Sequence, residues 1–229
     1  MAKHIIAIKA LSRFIQLLDS SFPAGAFVHS FGLEPHVVLN KVQTIAELDN
    51  YFSNLLTDQY STLEFNFVKK FFRLLAQGQL NSLLKADEKF AAMLHYEFAQ
   101  ASENIGHNYL KHINFAIKNS LVKGYFSAVN EHQSVGNELA ILSAYAFELG
   151  LDCQTFLLLW AKKSLVSIAS TALKISRIKP SEIQQLLFSY DDKLPQYINS
   201  NEAEITNFNP LFEQVIYQHL HLEPKLFMT

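Results

Sequence analysis

Apolar residues recur at three- and four-residue spacing along nearly the whole chain of 229 residues, and no run alternates with a period of two. That pattern puts apolar side chains on one face of a helix and gives a sheet nothing to bury, so the expected fold class is all-α. Leu11, Phe14, Ile15, Leu17 and Leu18 make a first short amphipathic helix. The string Thr44-Ile-Ala-Glu47 has the form of a capping box, and Leu48, Tyr51, Phe52, Leu55 and Leu56 after it predict a helix over about 45–58. Leu63, Phe67, Phe71, Leu74 and Leu75 predict another over Ser61 to Gln77, stopped by Gly78. Helical patterning continues from Asn81 to Gly106 and from His107 to Asn119, and Gly106 either interrupts one long helix or separates two. Tyr125 to Asn130 reads as a connection.

Glu138 to Leu149 and Gln154 to Arg177 are rich in alanine, leucine and serine, with Gly150 between them as a C-cap, and both predict buried helices. The small residues Ser164, Ser167, Ala169, Ser170 and Ala172 allow close approach of another helix, in the core or across a subunit interface. Lys179-Pro180-Ser181-Glu182 ends that helix and starts another toward Tyr190. The polar stretch Asp191 to Asn209 reads as an exposed loop, and Pro210 opens a last helix through Leu220. No linker-like run divides the chain, so the expectation is a single-domain helical bundle, 1–229, of roughly eight to eleven helices, with a docking tail at about 211–229.

One segment departs from this regularity. Leu17 to Glu34 reads LLDSSFPAGAFVHSFGLE, where Pro23 and Gly25 forbid a continuous helix while Phe22, Ala24, Ala26, Phe27, Val28, Phe31 and Leu33 keep the turn apolar. An apolar turn is one that is buried or covered. A helix ending in L-x-D-S, then F-P-A-G-A-F and H-S-F-G-L-E, resembles the N-terminal signature of the UreF family of urease accessory proteins. Pro23, Gly25, Ser30, Gly32, Leu33 and Glu34 keep their places, and Ala26 stands where the family usually has a second glycine. The tail carries a second likeness: His219, His221 and Lys225-Leu226-Phe227-Met228-Thr229 resemble the family's histidine-containing helix and R-L-F-x-S-like end.

The resemblance implies a dimer that acts with the UreD (also called UreH) scaffold and the UreG GTPase on apo-urease, regulating GTP-dependent nickel delivery without chemistry of its own. It implies a cytoplasmic protein, no catalytic residue, no metal ligand and no cofactor, nickel being handled by the complex. It also nominates a partner-binding set: Phe22, Pro23, Gly25, His29, Ser30, Gly32, Leu33, Glu34, His219, His221, Lys225, Leu226 and Phe227. The apolar end of the chain reads as docked, on its own chain or on another; on the family reading the 211–229 tail orders on the UreD-like partner, and the 22–34 segment, with Glu34 as its acidic group, lies near the dimer centre or on the UreG-facing surface.

Composition supports an assembly subunit. Hydrophobic residues make up 49% of the chain and charged residues only 17%, which leaves less polar surface than a solitary soluble domain carries. A formal charge of −2 provides no basic field for nucleic acid or anionic lipid. Cys153 is the single cysteine, read as a core thiol, and fits a reducing compartment. The most apolar stretch, Phe156 to Leu173, is interrupted by Lys162 and Lys163 and reads as a buried helix, and Met1 to Phe14 lacks the form of a secretory signal.

No phosphate-cradling loop, nucleophile elbow or H-E-x-x-H occurs. His219 and His221 would diverge on a helix, so they could share an ion only if extended or helped by a partner. Glu103 and His107 share a helical face and form either a ligand pair or an exposed hydrogen bond. Two alternatives remain: a helical small-molecule enzyme of the haem-oxygenase or TenA type, with His29 or His107 anchoring a ligand in an apolar pocket, and a nickel-storing protein.

Overall fold

A computed structural model describes residues 8–19, 22, 30, 32–199, 205–206 and 210–227, with backbone alone for 116 and 210–213. Among these residues there is no strand, and the all-α expectation holds. Helix α1 (Ile8–Leu18) buries Ala10, Phe14 and Leu17 and leads toward the short α2 (Leu33–Val38). Helix α3 (Ile45–Asn54) begins at the expected capping box: Thr44 Oγ1 accepts the Glu47 N–H at 3.3 Å and Glu47 Oε2 accepts the Thr44 N–H at 2.9 Å.

The two helices expected over 45–58 and 61–77 are one rod. Between α3 and α4 (Phe65–Ala76) the chain does not break but widens into a π-helix over Leu55–Glu64. Polar Asp58, Ser61 and Thr62 imitate a turn in the sequence. Thr62 Oγ1 instead bonds back to the Asp58 carbonyl at 2.7 Å, while Gln59, Tyr60, Leu63 and Glu64 are buried, so tertiary burial holds the helix through its weakest stretch.

Helices α5 (Leu80–Met93) and α6 (Tyr96–Ile113) are separated at Leu94 and His95, and α6 passes through Gly106 unbroken. A Cβ at Gly106 would lie 2.0 Å from the carbonyl oxygen of Gly136, so the glycine serves a close backbone approach and not a helix end. Tyr125 to Asn130, expected as a connection, is the second half of α7 (Ser120–Asn130), with Tyr125, Phe126, Ala128 and Val129 buried. The Asn119 side chain caps α7 by accepting the N–H groups of Leu121 and Val122 at 2.9 and 3.2 Å.

Helix α8 (Glu138–Glu148) is buried almost all round, packed chiefly on α6 and α4, and α9 (Cys153–Ile175) packs chiefly on the helix that follows it. Ser164, Ala169 and Ala172 of α9 sit in the core, one of the two places expected of them, whereas Cys153 is half-buried at the first position of the helix and is not a core thiol. By length and composition α9 could cross a membrane, yet 56% of its apolar window is buried inside the bundle. Helix α10 (Pro180–Ile198) overruns the loop expected from Asp191, because Tyr190, Leu194 and Ile198 recur at a spacing of four and all reach the core despite Pro195. Helix α11 (Pro210–Tyr217) and a 3-10 turn, Gln218–His221, lead into the tail. One contiguous apolar cluster links Phe14 on α1 to Ile216 on α11.

The loop entering α8 is held by a single carboxylate. Asp87, fully buried, accepts from Tyr125 Oη at 2.9 Å, Ser134 Oγ at 2.8 Å, the Gly136 N–H at 2.7 Å and Asn137 Nδ2 at 2.7 Å. These donors replace the water that the carboxylate gives up, so burial of the charge is compensated.

Candidate functional site

The end of the signature segment is built around Gly32. Its φ of +85° is a left-handed conformation, and a Cβ there would meet Ile216 Cγ1 of α11 at 3.2 Å. Ser30 Oγ accepts the Glu34 N–H at 3.3 Å, which starts α2. Pro35 falls in the first helical turn, as expected, where its missing N–H costs nothing. The Gly32 carbonyl accepts from His36 Nδ1 at 2.7 Å, so the ring carries its proton on that nitrogen, and the ring edge meets Tyr51 with centroids 4.9 Å apart. Burial pushes the His36 pKa below its ordinary value, opposed in part by that backbone bond.

Glu34, 1% exposed, receives the tail. Its Oε1 accepts the Leu226 N–H at 2.7 Å and its Oε2 accepts the Phe227 N–H at 3.1 Å. His219 Nε2 lies 3.3 Å from the same Oε2, and His219 Nδ1 lies 3.1 Å from Glu97 Oε2 on α6. A doubly protonated His219 ring donates to both carboxylates; a singly protonated one donates to a single carboxylate. The Phe227 ring packs under the Lys174 ammonium of α9, 5.6 Å from its centroid. One side chain of the signature segment thus clamps the backbone of the last residues.

Of the expected partner-binding residues, Ser30, Gly32, Leu33, Glu34, His219, Leu226 and Phe227 converge here. Phe22 lies elsewhere, stacked on Tyr109 at 5.5 Å with its edge contact to His112. His221 and Lys225 are exposed, and Pro23, Gly25 and His29 lie outside the described residues. Glu34 faces inward, its two oxygens accepting from the Leu226 and Phe227 N–H groups, so these two residues dock on their own chain, one of the two expected possibilities.

His219 and His221 do not converge on an ion: one faces inward between two carboxylates and the other faces out. Glu97, Lys174 and Ile216 complete the site, and nothing in their spacing marks them in the sequence.

Glu103 and His107 border an open polar groove with Glu88, His132 and Ser134, and His107 Nε2 lies 2.8 Å from the Val135 carbonyl oxygen, to which it donates. Among the described residues no group of three or more His, Cys, Asp or Glu is arranged to hold a metal ion.

A separate cavity of about 70 Å³ lies between the π-helix, α5, α6 and α9. Glu64 lines it, and burial pushes its carboxyl up to about 7 against the bond it accepts from Gln59 Nε2 at 2.7 Å. A buried ion pair, Lys163 Nζ to Glu138 Oε1 at 2.9 Å, forms part of its wall. His107, a suggested anchor for a ligand in an apolar pocket, does not line it.

A family model of UreF matches residues 42–191, about two-thirds of the chain. The chain belongs to the UreF family. The match covers the central helices, where the motif likeness is most diffuse, and leaves both the signature segment and the tail outside it. Relatives described as urease accessory protein UreF match this chain, one of them over almost its whole length. One from Streptococcus salivarius is 23% identical over 229 residues, covering 98% of this chain and 97% of its own. One from Actinobacillus pleuropneumoniae serotype 5b is 24% identical over 192 residues, covering 83% and 85%. One from Haemophilus influenzae is 23% identical over 189 residues, covering 82% and 80%.

Proposed function

We propose that this chain is a non-catalytic, cytoplasmic adaptor in urease maturation, a homodimer that bridges the UreD/UreH scaffold and the UreG GTPase on apo-urease and so regulates GTP-dependent nickel insertion. Family membership supports the urease context. The observation that carries the adaptor reading is the clamp at Glu34, where the signature segment and the tail, the two parts most like the family's motifs, meet in one structure.

Around that clamp apolar groups face outward: Val38 and Leu39 at the end of α2, and Tyr217, Leu220 and Leu226 on the tail. Exposed apolar side chains on the tail and on the helix it packs against suit a protein partner. The clamp therefore serves to hold the tail in the form in which a UreD-like scaffold receives it, with Glu34 acting from beneath the surface. Deleting Leu220 to Thr229 is expected to abolish co-purification with that scaffold, and undiminished co-purification would refute the proposal.

A further inference from the structure

The cavity beside the π-helix carries an inference independent of urease maturation. Leu55, Gln59, Tyr60 and Glu64 line it at spacings of four and five, the repeat that i→i+5 hydrogen bonding brings to one face, so the helical widening is what turns all four inward. Stretches of π-helix are often found at functional sites. The opposite wall is Phe90, Leu94, Phe98 and Ile105, with Leu94 and Phe98 half-buried at the break between α5 and α6.

Two polar atoms on residues that line this cavity have no hydrogen-bond partner: Glu64 Oε2, an acceptor once the carboxyl has ionised, and Trp160 Nε1, a donor. Glu64 is 5% and Trp160 6% exposed, so each unmet bond is a desolvation cost. Neighbouring polar groups are already engaged, Tyr60 Oη with Ser164 Oγ and Lys163 with Glu138. At about 70 Å³ the cavity exceeds what one water molecule requires.

We infer that this cavity is a binding site for a short-chain primary amide, whose carbonyl accepts from Trp160 Nε1, whose NH₂ donates to Glu64 and whose alkyl end rests on Phe90, Phe98 and Ile105. The amide satisfies both orphaned atoms at once, and a ligand lacking either group leaves one of them unmet.

Trp160 is the only tryptophan in the chain, so its indole N–H gives a single resonance in a proton–nitrogen correlation spectrum. Above about pH 8, where the Glu64 carboxyl is ionised, the full chain is titrated with butyramide and, separately, with 2-pentanone, which replaces the NH₂ by CH₃ at equal size. Butyramide is expected to move the Trp160 resonance saturably with a midpoint of about 1 mM, and 2-pentanone to bind about tenfold more weakly. In Glu64→Leu the preference for the amide disappears. In Ala101→Leu, which fills the cavity wall, both probes lose binding while the remaining resonances stay dispersed. Equal affinity of the two probes for the unaltered chain, or no saturable shift with butyramide, overturns the inference without bearing on the urease reading.

Discussion

Glu34 shows how much one buried carboxylate can organise. It offers two oxygens to the Leu226 and Phe227 N–H groups and lies against His219, and both amides lose their acceptor if the carboxylate is removed. An unsatisfied buried polar group costs about 1–3 kcal/mol. Glu34→Ala is therefore expected to release the tail, seen as faster amide exchange at Leu226 and Phe227, and to lower urease activation while the helical content stays close to that of the parent. Unchanged exchange at those two amides would contradict the clamp.

Gly106→Ala makes the opposite error by adding an atom where the Gly136 carbonyl already sits, and a destabilisation of about 3 kcal/mol is expected in denaturant unfolding. Glu64 gives a pH signature. Its carboxyl is raised from the ordinary 4.5 to about 7, so the folded state holds a proton that the unfolded state has released, and stability falls as pH rises between those values. The whole effect is of the order of 3 kcal/mol, absent below the lower value and complete above the upper one. Glu64→Gln should remove that slope, leaving a variant whose advantage over the parent is larger at about pH 8 than at about pH 4.

At the scale of elements, the capping signals acted where the sequence placed them. Thr44 and Glu47 form their reciprocal bonds on an exposed surface, where little else determines the helix start, and Thr44→Ala is expected to cost about 1 kcal/mol in thermal or denaturant unfolding. Helix ends set by packing were harder to read. Asp58, Ser61 and Thr62 look like a turn because their side chains compete for backbone bonds, and the rod continues only because Gln59, Tyr60 and Glu64 are pressed against other helices. Pro195 sits in the polar stretch that reads as a loop and withdraws one backbone N–H, yet Leu194 and Ile198 contribute more by burial than that loss costs. Gly106 and Gly124 both lie inside helices, and only the first has a backbone pressed against it.

For the whole molecule, the apolar cluster from α1 to α11 ends at Ile216, and the residues after it are held mainly through Glu34, His219 and the Lys174–Phe227 contact. Truncation at Leu220 should accordingly preserve the helical circular dichroism of the parent while removing the proposed scaffold interaction, which separates loss of docking from loss of folding. Period, capping residues and composition were enough to define an all-helical chain, its main helices and the two motif-bearing ends, because those features act between residues close in sequence. What they could not reveal is that Glu34 meets Leu226 and Phe227, that Glu97 closes on His219, or that Glu64 and Trp160 border one cavity. Such pairs are separated by up to 193 residues along the chain, and only the burial of a shared core brings them together.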